Sequence, residues 1–108
     1  MNVCELKLEY NRAANRPIPE EYMPVLSKFY GIVIRMFFAS PLVEHFHAIY
    51  RDHELVVGLS PLRILDGDAP RRVKTMVLEW AAQHREELLD AWNSCRVAIP
   101  PLPIQPLE

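Results

Sequence analysis

Apolar and polar positions change period along the chain, and the changes mark its elements. Cys4, Leu6, Leu8 and Tyr10 alternate with Glu5, Lys7 and Glu9, a period of two that predicts a half-buried edge strand. Asn11 to Pro19 then collects Asn, Arg and Pro, and Pro17 and Pro19 hold it extended, as a linker. From Val25 to Phe38 β-branched and aromatic residues surround Gly31, which predicts a hairpin turning near Tyr30-Gly31. Its second strand places Ile32, Ile34, Met36 and Phe38 on one face and Val33, Arg35 and Phe37 on the other, where Arg35 is the odd residue. Pro41 ends the run. A third strand follows over about His45–Arg51, then a turn at Asp52-His53 and a fourth strand over Glu54–Leu59.

Ser60-Pro61 interrupts that strand, Leu62–Leu65 is a short apolar piece, and Asp66-Gly67-Asp68 reads as a turn. With Asp68 as N-cap and Pro70 in the first turn, Val73, Met76, Val77, Trp80, Ala81, His84, Leu88 and Trp92 trace one helical stripe of about six turns. Beyond Arg96, four prolines among regularly placed aliphatics predict a polyproline-like tail that is not a core strand. The expected fold class is therefore α+β: a small antiparallel sheet of about four to five strands packed on one long C-terminal helix. Residues 1–22 form an N-terminal extension, 23–96 a single domain, and 97–108 a Pro-rich tail.

Composition narrows the function classes. At 108 residues the chain holds one core. Half of it is apolar and about a quarter charged, as in an ordinary globular domain. No apolar run approaches the roughly 20 residues that cross a bilayer, and the start lacks a secretory h-region, so a cytoplasmic location without membrane contact is expected. Cys4 and Cys95 match no zinc or CxxC spacing and are expected as reduced thiols. A net charge of −2 provides no bulk attraction to nucleic acid, so any such contact needs a local patch.

The candidate chemistry centres on His45 and His47, which share one face of the third strand about 7 Å apart at Cα, while Phe46 and Ala48 face the core. Two imidazoles so placed could share a metal or a phosphate. A zinc site needs a third ligand, and Glu44, Asp52, His53 and His84 stand at no recognised metal spacing. The plain alternative is a hydrogen-bonded edge pair. Arg71, Arg72 and Lys74 place cations against the dipole at the start of the helix, as an anion site or as ion-pair partners of Asp66 or Asp68. His84 reads as a partly buried histidine bonded to a backbone carbonyl, and Trp80 and Trp92 as core residues whose indole N–H groups anchor the helix to sheet or tail. No serine or cysteine triad and no glycine-rich phosphate loop is present.

His45-Phe46-His47-Ala48-Ile49-Tyr50 followed by Glu79-Trp80-Ala81 closely resembles the bacterial family of domains of unknown function numbered 4160, whose members carry His-Phe-His-Ala-x-Tyr and then a Glu-Trp-Ala helix. The resemblance covers Met23 to about Arg96. Members begin Met-Pro-x-aliphatic, matching Met23-Pro24-Val25-Leu26, so translation could start at Met1 or at Met23. They usually have Pro-Pro before the first histidine where this chain has Val43-Glu44, a carboxylate that would favour protonated His45. The resemblance implies the toxin half of a toxin–antitoxin pair, its gene lying beside that of a small antitoxin-like partner. Small two-layer toxins suggest RNA cleavage, with His45, His47 and Arg35 as the reacting set and Arg71, Arg72 and Lys74 holding phosphate; no cofactor is expected. The rival expectation is a non-catalytic interaction module in which a partner, or a second copy of the chain, buries the histidine face and the tail with Leu102, Ile104 and Leu107, and a metal-binding accessory protein stands third. The tail aliphatics are expected to pack on the domain's own surface or on a second chain.

Overall fold

In the computed structural model the described residues are 10–11, 16–17, 24–38 and 43–108. Five antiparallel strands in sequential order form the sheet: β1 (Val25–Phe29), β2 (Ile32–Arg35), β3 (His45–Tyr50), β4 (His53–Leu59) and β5 (Leu62–Asp68). Two helices follow, α1 (Arg71–Gln83) and α2 (Arg85–Arg96). The α+β class is as expected; the single long helix is not.

The break falls at His84, whose φ of −121° leaves the helical region while its N–H still bonds the carbonyls of Trp80 and Ala81. The side chain of the next residue holds the joint in place. Arg85 Nε donates to Leu59 O at 3.0 Å and its Nη2 to Ser60 Oγ at 3.1 Å, tying the start of α2 to the β4–β5 turn. Glu86 and Glu87 then occupy the first turn of α2, where the dipole favours acids.

The first hairpin turns at Tyr30 and Gly31, both with positive φ (51° and 80°), the geometry a two-residue turn needs to match strand twist. The β3–β4 turn lies at Arg51-Asp52, with Arg51 at φ 55°, one residue earlier than the sequence suggested. Asp66-Gly67-Asp68, expected as a turn, instead continues β5: Asp66 pairs with Val56 and Gly67 with Leu55. A bulge near Leu65 and the φ of 89° at Gly67 let the strand bend, and a Cβ at Gly67 would run into the carbonyl oxygen of Glu54. Pro70, not Asp68, is the N-cap of α1, and Asp68 turns its carboxylate to Lys74 Nζ at 2.7 Å.

Strand alternation builds the core. Ile32, Ile34, Phe46, Ala48, Leu55, Val57 and Leu59 meet Val73, Val77, Trp80, Ala81, Leu88 and Trp92. Trp80, fully buried, lies 5.4 Å from the ring of Phe29 and 5.8 Å from that of Phe46. The tail completes this layer instead of standing apart from it. Ile104 is 5% exposed within the core, its N–H donates to Leu26 O at 2.8 Å, and the indole N–H of Trp80 donates to Gln105 O at 2.8 Å. The prolines exclude a ladder, yet a single backbone bond and one aliphatic anchor suffice to lay the segment beside β1.

Apart from Tyr10, the expected strand Cys4–Tyr10 lies outside the described residues, as do Met23 and Cys4. Within the stretch read as a linker, Tyr10–Asn11 pairs antiparallel with Arg16–Pro17. No helix among the described residues is long and apolar enough to cross a membrane.

Candidate functional site

β3 runs through the middle of the sheet, between β2 and β4, so both its edges are paired. Phe46 and Ala48 enter the core as expected, but His45 and His47 on the other face are also buried, at 1% and 8% exposure. Buried imidazoles need hydrogen-bond partners. His45 finds one beside it: Nδ1 donates to Val43 O at 2.7 Å. Its ring stands 5.2 Å from that of His47, edge to face, and 5.1 Å from Trp92.

His47 is held differently. Its Nδ1 donates to Glu54 Oε2 at 2.8 Å, Phe37 stacks on its ring at 4.6 Å, and its Nε2 is buried with no hydrogen-bond partner among the described residues. A carboxylate on Nδ1 fixes the tautomer that leaves a lone pair on Nε2, the arrangement of an oriented general base. Arg35 is directly across the β2–β3 pair from His47, so their side chains leave the same face. The structure thus brings His45, His47 and Arg35 together, and adds Glu54 and Phe37, which the sequence reading missed.

Glu54 was hidden by the turn. In the observed register Val56 faces His47, and Glu54, two residues away, is its diagonal neighbour on the same face. A turn at Asp52-His53 would have set Gly58 opposite His47 and carried Glu54 out of reach. The electrostatics also depart from expectation. Burial pushes His45 below the ordinary histidine pKa, the neighbouring His47 adds to this, and the bond to Val43 only partly opposes it. His45 therefore favours its neutral form, the reverse of what an adjacent Glu44 suggested.

The remaining candidates lie elsewhere. Lys74 is engaged by Asp68, whose carboxyl is held below its usual range by that hydrogen bond, while Arg71 and Arg72 are exposed with no ion-pair partner among the described residues. His84 Nδ1 meets Glu87 Oε1 at 2.6 Å, not a backbone carbonyl. Of the tail residues, Ile104 is consumed by the core, Leu107 packs partly against it, and Leu102 is 82% exposed. Ile104 thus packs on its own domain. Among the described residues no group of three His, Cys, Asp or Glu side chains is placed to hold a metal.

The family model described as domain of unknown function (DUF4160) matches residues 31–93, more than half of the chain. The chain belongs to that family. The matched DUF4160 segment holds β2 to β5 and nearly all of the two helices, hence the whole His45–His47–Glu54 cluster, and stops short of β1 and of Ile104. No curated protein and no solved structure matches the chain.

Proposed function

We propose that this DUF4160 protein is the toxin of a bacterial toxin–antitoxin pair and that it cleaves RNA with His47 as general base. One observation carries the reading: His47 is braced by Glu54 at Nδ1, and its buried Nε2 has no hydrogen-bond partner among the described residues. In the reaction Nε2 takes the proton of a ribose 2′-hydroxyl, whose oxygen bonds the adjacent phosphorus. The bond to the 5′ oxygen breaks, and that oxygen takes a proton from water. Arg35, across from His47, steadies the charged phosphate. His45, kept neutral by burial, supports the His47 ring and does not act as the acid. Removing a positioned base costs about 10²–10⁴-fold in rate.

The test is inducible expression in a bacterium with and without the adjacent gene. Growth arrest relieved by the neighbour, and lost in a folded His47→Ala variant, is the expected result; arrest undiminished in that variant removes the His47–Glu54 pair from the mechanism. A second reading, a non-catalytic interaction module, is favoured by the near-complete burial of both rings and by the exposure of Val97, Ile99 and Leu102. It requires the same phenotype from His47→Ala as from the parent chain.

A further inference from the structure

Exposure along the tail repeats every three residues. Ile104 is buried and Pro101 and Leu107 are partly covered, whereas Ile99, Pro100, Leu102, Pro103, Gln105 and Pro106 all stand exposed. Three residues per turn is the repeat of a polyproline II helix. The sequence enforces that path: each proline fixes its own φ and keeps the residue before it extended, which constrains Ile99 through Pro103 and then Gln105 and Pro106. One ridge, carrying Pro101, Ile104 and Leu107, therefore lies on the domain, and two ridges face outward. Together they display the pairs Ile99-Pro100, Leu102-Pro103 and Gln105-Pro106, spaced about 9 Å apart.

Backbone bonds fix both ends of this strap. At the end of α2, Ala98 N–H donates to Cys95 O at 3.1 Å and Ile99 N–H to Ser94 O at 2.8 Å, with Ala98 at φ 62°, the two bonds of a Schellman motif. At the far end Leu26 O holds the Ile104 N–H, and the Trp80 indole holds Gln105 O. A segment seated this way has already lost the conformational freedom that a free peptide gives up on binding. Its outward side is open: Leu102 is 82% exposed and Ile99 57%. Among the described residues no hydrogen bond reaches the carbonyls of Ile99 to Pro103.

The chemistry of that side selects its partner. Pro100, Pro101 and Pro103 have no N–H, so the segment offers acceptors but few donors and does not extend a β-sheet. A partner must supply flat apolar slots for Ile99-Pro100 and Leu102-Pro103, and donors for the carbonyls between them. Tryptophan and tyrosine do both, since their rings pack on proline while the indole N–H or phenol O–H donates. We infer that residues 99–106 form a built-in polyproline ligand that seats in an aromatic-lined groove of a second protein. The strap lies outside residues 31–93 and uses no residue placed around His47, so the inference and its test are independent of the RNA reading.

The test titrates the full chain with a WW domain that accepts Pro-Pro-Leu-Pro peptides, by isothermal calorimetry, each variant first being matched to the parent chain in thermal unfolding. Binding tighter than about 1 mM is expected. Leu102→Ala and Pro103→Ala, on the two outward ridges, are expected to weaken it at least about fivefold, whereas Pro101→Ala, on the covered ridge, should change it by less than about twofold. No binding by the parent chain at about 1 mM domain would overturn the proposal, as would equal losses in all three variants, the signature of a free tail. Sedimentation of the chain alone addresses the other occupant: dimerisation that Leu102→Ala abolishes would overturn the proposal in favour of a second copy. A monomer that binds the WW domain with the expected ridge pattern upholds it.

Discussion

Ile104→Ala tests whether the tail is part of the fold or a free docking peptide. The substitution removes three carbons from a side chain that is 5% exposed among Leu26, Trp80 and their neighbours. At about 0.8 kcal/mol per buried methylene the transfer loss alone is about 2.4 kcal/mol. The residual cavity raises the expectation to about 3 kcal/mol, inside the range of about 2–5 for such truncations. Looser seating of the segment would also weaken the bond from the Trp80 indole to Gln105 O, whose loss in a buried setting adds a further ~1 kcal/mol. For a domain of this size the melting temperature should drop by roughly 15 °C. Urea unfolding followed by tryptophan fluorescence measures this, since Trp80 and Trp92 are both buried, and an unchanged m value would show that the compactness of the end states is intact. Leu102→Ala, at a position 82% exposed, is the control and should shift stability by less than ~0.5 kcal/mol. Equal, small effects for Ile104→Ala and Leu102→Ala would refute the packing of the tail.

Three other outcomes follow from local geometry. Gly67→Ala forces a side chain onto a φ of 89° and against the Glu54 carbonyl, and should cost about 2 kcal/mol or more in the same urea assay; a neutral result would mean that β5 does not bend there. Arg85→Ala removes the ties to Leu59 O and Ser60 Oγ and should cost about 1 kcal/mol, with faster amide exchange concentrated around His84; uniform exchange across α1 and α2 would contradict the joint. The folded pKa of His45 lies below its ordinary 6.5, so between those two values the unfolded chain binds the extra proton and stability rises with pH. The contribution of neutral His45 is thus complete above about 6.5 and is lost as pH falls through the folded pKa. Urea midpoints at several pH values should show His45→Gln with a flatter acid limb than the parent chain, and parallel limbs would dismiss the residue as its cause.

Periodicity was a sound guide wherever one face of an element is wet. The hairpin turn at Tyr30-Gly31 and the inward residues of the helical stripe could be read because alternation and a 3.6-residue repeat are direct consequences of burying one side. It failed where burial is two-sided or geometry is set from a distance. His45 and His47 look solvent-facing beside Phe46 and Ala48, yet the Phe37 ring lies on His47 and Trp92 against His45, and both are buried. The stripe runs through His84 without interruption, and only the tie from Arg85 to the β4–β5 turn reveals the joint; Glu86-Glu87 in a first turn was the one local hint. Glu54 was missed because moving a turn by one residue changes every partner by two while preserving faces, so the hydrophobic pattern cannot detect the error. The docking of Ile104 onto β1 carries no periodic signal at all, since a lone aliphatic between prolines looks the same whether it is seated or free.

The bond between Ile104 and Leu26 joins points nearly a full domain apart in sequence, whereas the sheet itself is a meander whose neighbours are consecutive. Closing so long a loop is slower than zipping short hairpins, so the segment should seat late, after the folding barrier is crossed. A contact made after the barrier leaves the folding rate alone and governs the unfolding rate. The clasp of tail on β1 therefore acts on the lifetime of the native state, and because both of its halves fall outside residues 31–93, that lifetime is set by segments flanking the matched domain.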